Sequence, residues 1–309
     1  MTAPSSYLGW KIDYAGPPGE PAYLDPGSVH WRIYKNPIAL AIGGVAAVLL
    51  EFADARIRSG VWDHSTYKAD PIGRSKRTGI AAMVGVHGPQ GAARRVIQGV
   101  SNMHARVVGH TPGGEAYKAL DVELLDWVSA TAGYGFVNAY DRFVSPLSEA
   151  DKTRFYEEAH PIARLYGVRY SPSSTADFLK MMDRLADRFE PHPIVEEFIG
   201  IIQSGQAAPN APKILHRALA RAAVSLLPPI VREKLALDRR YDLNAFDRLA
   251  LKVAGKLADR IVVPDSPPSQ ASLRLGLPAN FLYRGQAEQK RLLSALRSSP
   301  GDDALVQAS

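Results

Sequence analysis

Hydrophobic residues recur at intervals of three and four positions over most of this chain, which is the spacing of amphipathic helices. No stretch of useful length alternates between apolar and polar residues in the way that a half-buried strand does. The sequence therefore predicts an all-α fold. The predicted helices lie at about 37–58, 71–87, 90–108, 121–143, 149–166, 175–189, 193–204, 213–227, 229–237, 243–262 and 287–297.

Changes in composition predict three parts of the chain. Residues 1–35 are rich in proline, glycine and tyrosine and are interpreted as an irregular arm on the surface. Residues 36–204 form the predicted helical core. Residues 205–309 begin with the linker-like GQAAPNAP, continue as helices packed on the core, and end in a tail that is predicted to be disordered from about residue 298.

Composition and charge narrow the classes of function. The chain has 309 residues and no cysteine, which excludes disulfides, thiolate nucleophiles and iron–sulfur clusters. Its net charge is +6, but 37 basic residues are interleaved with 31 acidic ones. No nucleic-acid-binding module is visible, so we expect no nucleic-acid partner.

The hydropathy pattern predicts no transmembrane segment. The most apolar run, 38–50, is shorter than the roughly 20 residues that cross a bilayer, and it is interpreted as a buried helix. The first residues lack the basic start and apolar run of a secretory signal. We therefore expect a cytoplasmic protein, while the oligomeric state stays open.

The helix predicted at 90–108 carries a histidine on its apolar face. Val96, Val100, His104 and Val107 recur at three- and four-residue spacing, and Gly109 stands where a left-handed residue would end the helix. This spacing points the imidazole of His104 into the interior. A buried histidine bonded to a backbone carbonyl and an axial ligand of a metal cofactor both fit this pattern, since imidazole is a common iron ligand.

Two other predicted helices carry features of interest. Arg74, Arg77 and Thr78 share one helical face next to apolar positions, which indicates cations at a pocket rim or, alternatively, ordinary surface arginines. In the apolar helix, Gly43-Gly44 would let another helix or a flat ligand approach the backbone closely, and Glu51 falls at the more polar end.

Several motifs resemble those of the MpaB/latex-clearing-protein oxygenases. They are the H-S-x-Y-x-x-D-P-x-x-R-x-x-x-T string from His64 to Thr78 and the H-x-x-V-x-G string from His104 to Gly109. The stretches 116–131 and 146–168 are also similar to the family. The order and spacing of these pieces are more specific than any one of them, and the resemblance covers roughly half to two thirds of the chain.

The resemblance implies a function and a cofactor. Members of this family are all-helical proteins with a globin-like core that holds haem b, so His104 is expected to be the proximal axial ligand. Arg74 and Thr78 are expected in the distal pocket, where an arginine can stabilise negative charge on bound oxygen and a hydroxyl can hydrogen-bond it. The implied function is a haem b-dependent oxygenase that uses O₂ to oxidise a hydrophobic small molecule, with cleavage of a C=C bond as the family's reaction type.

The predicted site follows from the motifs and from the chemistry of its side chains. We expect catalytic roles for Arg74, Arg77 and Thr78, with His104 as the metal ligand. The guanidinium is a fork of donors that matches a propionate, and the sequence leaves open which of Arg74, Arg77, Arg94 and Arg106 would bind one. The expected cofactor contacts are His64, Val100, His104, Arg106 and Val107.

One position departs from the family. Latex-clearing proteins have a lysine near the Arg/Thr pair that can bind iron, and the matching position here is Arg77. Because arginine stays protonated, it is a very poor ligand. We therefore expect an iron that is five-coordinate or water-ligated at rest, and the departure argues against polyisoprene as the substrate.

Three alternatives stay open at this point. A haem-binding sensor or carrier without oxygenase turnover would use the same His104. A non-haem metal site would combine His87, His104 and His110, although no carboxylate is suitably spaced on that helix. A serine hydrolase is disfavoured because the chain has no G-x-S-x-G elbow.

Overall fold

The all-α prediction is confirmed by a computed structural model, which describes residues 5–7, 10–67, 69–206 and 213–298. In the described residues, four short strands form two antiparallel pairs: β1 (Ser5–Tyr7) with β2 (Trp10–Ile12), and β3 (Val108–His110) with β4 (Ala116–Lys118). The α-helices are α1 (Val29–Tyr34), α2 (Pro37–Glu51), α3 (Ala55–His64), α4 (Pro71–His87), α5 (Gln90–His104), α6 (Val122–Phe143), α7 (Glu149–Glu158), α8 (His160–Leu165), α9 (Thr175–Leu185), α10 (Pro193–Ser204), α11 (Lys213–Leu226), α12 (Pro229–Lys234), α13 (Ala245–Ala258), α14 (Pro267–Arg274) and α15 (Gln286–Arg297).

Helices α2 and α6 cross at the centre of the fold through a pair of glycines. A Cβ atom added to Gly43 would lie 2.8 Å from the backbone of Gly135, so the two backbones touch where side chains are absent. Ile42 and Val137, which neighbour these glycines, are fully buried. The expectation that Gly43-Gly44 admits a second helix is confirmed.

The predicted helix 37–58 is divided in two. Its start is confirmed, since Asn36 caps α2 by accepting hydrogen bonds from the backbone N–H groups of Ile38 and Ala39. However, α2 ends at Glu51, and Asp54 begins α3 by accepting from the N–H of Arg56 at 2.9 Å. An aspartate that competes for backbone donors favours a new helix start over an uninterrupted helix.

The end of α5 also differs from the prediction. The helix stops at His104, and Gly109 lies in β3 opposite Tyr117 instead of ending the helix. A Cβ on Gly109 would lie 2.6 Å from the hydroxyl oxygen of Tyr117, so this glycine is needed for the close approach of the ring. The pairing of β3 with β4 is a contact between distant segments, which the helical periodicity of α5 does not reveal.

The interpretation of residues 1–35 as an irregular surface arm is wrong for 29–34. These residues form α1, in which Trp31 and Ile33 are fully buried. The indole of Trp31 donates to the carbonyl of Leu24 at 3.0 Å, which ties the helix to the preceding loop. A helix of six residues is too short for its periodicity to stand out in a segment rich in proline and glycine.

The chain beyond α10 packs against the earlier helices. The guanidinium of Arg274, on α14, is buried and donates to the carbonyls of Tyr14, Glu20 and His87 at 2.7–2.9 Å. The predicted disorder at the end of the tail lies outside the described residues, as does most of the predicted linker. Among the described helices, none is both long and apolar enough to cross a membrane.

Gly43→Ala is predicted to destabilise the protein by about 1–3 kcal/mol, because the new methyl group would overlap the backbone of α6. Urea unfolding followed by circular dichroism measures this change. Gly44→Ala is the matched control, since its methyl group would meet only a ring atom of Phe136, at 3.9 Å. The control is expected to be neutral or slightly stabilising in this helix. Equal effects of the two substitutions would contradict the crossing as described.

Candidate active site

The pairing of α4 with α5 brings the two main candidate residues together. The helices follow one another through the short connection at Gly88–Pro89, and their facing residues Val84, Val96 and Val100 form one buried cluster. Because the helices are antiparallel neighbours, the start of α4 and the end of α5 lie at the same end of the pair. Arg74 and His104 occupy that end.

The His104 side chain is half-buried and has a free nitrogen. Its imidazole makes no hydrogen bond or ion pair within the described part of the chain. Burial lowers its pKa below the usual value, and the positive charge of Arg74 lowers it further. The position at the C-terminus of α5 would by itself favour a protonated histidine, but burial outweighs that effect. The imidazole is therefore held neutral, the form that binds metals.

Arg74 is the cation at the centre of this arrangement. Its guanidinium donates to the hydroxyl of Thr78, which in turn donates to the Arg74 carbonyl at 3.1 Å, so the predicted pair is joined along one helical face. Burial raises the pKa of Glu51 and of Tyr67 and lowers that of His104. The charge of Arg74 acts on all three groups: it opposes the first two shifts and adds to the third. Arg74 therefore lies in the midst of side chains from α2, α5 and the loop that precedes α4.

Sequence reasoning missed Glu51. We expected it at the more polar end of α2, yet burial raises its pKa to about 7, even though Arg74 opposes the shift. The hydroxyl of Thr131, on α6, lies 3.3 Å from a carboxylate oxygen of Glu51 and donates to the carbonyl of Val128 at 2.8 Å. The only sequence signal is that Glu51 continues the face of Gly44 and Val48 that turns towards α6.

Arg77 and His64 have partners away from this centre. Arg77 donates to the hydroxyl of Thr66 at 2.6 Å and lies 3.5 Å from the carboxylate of Asp70, so it fastens the loop before α4. The Nε2 atom of His64 lies 3.2 Å from the hydroxyl of Tyr117, on β4. Neither Arg77 nor His64 is hydrogen-bonded to Arg74 or His104 in the described residues. The predicted roles of Arg77 and His64 stay predictions.

The remaining predicted cofactor contacts are spread along the end of α5. Val100 is buried against α4, Val107 is half-buried next to Gly60, and Arg106 is exposed in the turn before β3. Their roles as cofactor contacts stay predictions too.

The alternative site of three histidines gains no support. His87 is fully buried edge-on to Trp31, neither of its ring nitrogens has a partner, and burial lowers its pKa to about 3. His110 is exposed in β3. Within the described ranges, no group of three His, Asp or Glu side chains is placed to hold a metal ion.

Comparison with known proteins identifies the family. Residues 31–260 match the family described as "ER-bound oxygenase mpaB/B'/Rubber oxygenase, catalytic domain". The chain belongs to the mpaB/rubber oxygenase family. It is therefore assigned as an oxygenase, an enzyme of the oxidoreductase class. No curated protein and no solved structure matches the chain.

The extent of the match bears on the layout of this mpaB/rubber oxygenase domain. The matched region runs from α1 through α13 and so crosses the predicted division at 204/205. It includes every residue of the candidate site. The three-part division stays a prediction, but the helices from α11 to α13 lie inside the family domain.

The raised pKa of the half-buried Glu51 predicts a dependence of stability on pH. Because the folded-state pKa lies near 7 and the unfolded value near 4.5, the folded protein binds the proton more tightly, and the stability associated with this proton is lost as the pH rises between these values. Glu51→Gln removes the ionising group and keeps an acceptor for Thr131.

The stability of Glu51→Gln relative to the native protein is therefore predicted to be greater at pH 8 than at pH 5. Urea unfolding at both pH values measures the difference. A difference that is the same at the two pH values would show that the pKa of Glu51 is not raised in the folded protein.

Proposed function

We propose that this oxygenase binds haem b through His104 and uses O₂ to oxidise a hydrophobic small molecule, by cleavage of a C=C bond. The observation that carries the proposal is the half-buried His104 imidazole, which has no hydrogen-bond partner among the described residues and lies at the same end of the α4/α5 pair as Arg74 and Thr78. The motifs that resemble those of haem-binding family members support the same assignment.

The donor set fits haem. A neutral, partly buried imidazole is an ordinary axial ligand, and the absence of cysteine leaves no thiolate to compete with it. Val48 and Val128 precede Glu51 and Thr131 by one helical turn on the same faces and are only partly buried. They offer apolar surface to a macrocycle or to a hydrophobic substrate.

Bound haem would supply the one-electron and O₂ chemistry that the protein side chains lack. The chain's own contribution is electrostatic. Arg74 provides a fixed cation and spare N–H donors, and Thr78 provides a hydroxyl, which together favour negative charge that develops beside them. Glu51, with its pKa near 7, can hold or release a proton within the field of Arg74.

Arg77 supports the expectation of one protein ligand on iron. Its guanidinium is engaged with Thr66 and Asp70, and arginine does not bind metals in proteins. Arg77, which replaces the lysine of latex-clearing proteins, thus has contacts that suit a structural role in holding the loop before α4. A small alkene remains our proposed substrate in preference to polyisoprene. The cytoplasmic location stays a prediction.

His104→Ala is predicted to abolish or shift the haem absorption band of protein expressed with added haem precursor, because the axial nitrogen is lost. Absorption spectra and bound iron are compared with those of the native protein. His110→Ala, which removes an exposed histidine six residues further along, is the matched control and should leave the spectrum unchanged. A colourless native protein without iron under haem-replete conditions would refute the proposal.

Arg74→Gln is predicted to keep the haem band and to lower substrate-dependent O₂ uptake by about 10²-fold, since one preorganised donor and its charge are removed. Oxygen consumption with a panel of unsaturated lipids and a reductant measures the effect. Arg291→Gln removes an exposed arginine of α15 and serves as the control. A native protein that binds haem but consumes no O₂ with any of these compounds would indicate a haem sensor or carrier instead.

A further inference from the structure

Helix α13 buries Leu251 but has most of its large apolar side chains on the outside. Fifteen large apolar side chains are exposed among the described residues, and six of them fall between residues 246 and 263. Isolated exposed apolar residues are ordinary, but a continuous row is not. The row consists of Phe246, Leu249, Val253 and Leu257 on α13 and continues after the helix with Ile261 and Val263, each at least half exposed.

The inner face of α13 carries the fully buried Leu251 and is fixed by polar and small residues on either side of it. Asp247 accepts from Arg221 at 3.1 Å, and Asp259, just after the helix, accepts from the hydroxyl of Tyr140 at 3.1 Å. Between them, Gly255 lies against the backbone of α6 at Phe143, so closely that a side chain would not fit. Because these contacts define the inner face, the apolar row cannot turn inwards without breaking them.

A second row, which follows α13 and ends two residues beyond it at Arg260, is cationic. Arg248, Lys252, Lys256 and Arg260 follow one another at intervals of four, are exposed, and form no ion pair with any residue that the structure describes. The spacing places them in a stripe beside the apolar row. The acidic residues Asp247 and Asp259 face inwards, so the outer face of α13 carries positive charge alone.

We propose that the outer face of α13 docks this protein on the surface of an anionic lipid bilayer. A helix with an apolar row and adjoining cations lies in the interface, with the apolar side chains among the acyl chains and the cations at the lipid phosphates. A bilayer satisfies both rows at once. A second copy of the chain would bring another four cations against the first four, and like charges disfavour that pairing.

The docking face is separate from the candidate active site. Helix α13 lies at the start of α2, where the Asn36 side chain donates to the carbonyl of Gly255 at 2.9 Å. Glu51 lies at the opposite end of α2. The proposal therefore does not depend on haem or on the proposed function, and substitutions on the outer face of α13 leave the site intact.

The test is flotation of the purified full chain with vesicles of phosphatidylcholine, either alone or mixed with phosphatidylglycerol. The native protein is expected to bind the anionic vesicles more strongly, and less so as salt is raised. Lys252→Gln/Lys256→Gln and Leu249→Ser/Val253→Ser are each expected to lower the partition coefficient by about tenfold or more.

Matched controls come from other exposed positions. Lys180→Gln/Lys290→Gln and Leu273→Ser/Leu296→Ser remove the same kinds of side chain elsewhere on the surface and should bind as the native protein does. Thermal unfolding checks that every variant is folded.

Two results would overturn the proposal. The first is a native protein that does not bind anionic vesicles, or that binds them equally well with the α13 substitutions. The second is self-association of the native chain, measured by sedimentation, that is lost in Leu249→Ser/Val253→Ser while vesicle binding is absent. That second result would assign the face to a second copy of the chain.

Discussion

The close approach of α2 and α6 at Gly43 and Gly135 is the constraint on which the rest of the structure depends. It lets two backbones meet without side chains between them, which fixes the two helices relative to each other more firmly than a layer of flexible side chains would. On one side of this crossing, Glu51 reaches Thr131. On the other side, the start of α2 and the end of α6 form the seat for Gly255 of α13. The candidate active site and the helix α13 are thus both positioned by one contact between α2 and α6.

Electrostatics at the candidate site follows from burial and from one cation, Arg74, that acts on three titratable groups. The phenol of Tyr67 is buried, the carboxyl of Glu51 and the imidazole of His104 are half-buried, and the charge of Arg74 acts on all three. Burial disfavours the charged forms of these groups, so the pKa of Glu51 is raised to about 7 and His104 is kept unprotonated. An enzyme that must control charge next to a reacting centre benefits from such an arrangement, because the fixed cation needs no reorganisation during the reaction.

Helix α13 shows how polar contacts can decide which face of a helix meets the protein. Its amphipathic pattern would ordinarily place Leu249, Val253 and Leu257 in the core. Instead, the buried Asp247, Leu251 and Gly255 turn towards the earlier helices, and the half-buried Asp259 follows them just after the helix. An aspartate without its partner would be costly to bury. The apolar and cationic outer face is the consequence of satisfying these inner contacts.

The sequence alone determined the elements whose causes are local. The helix starts at Asn36, Asp70, Asp121 and Ser148 depend on a side chain that accepts from nearby backbone N–H groups, and each is found as a cap. The left-handed end at Gly167, the all-α class and the family were likewise readable from the residues. Tertiary structure decided the end of α5, the burial of Glu51 and the outward face of α13. Each of these depends on a partner distant in the chain, and periodicity reveals that a helix has an apolar face without revealing what that face meets.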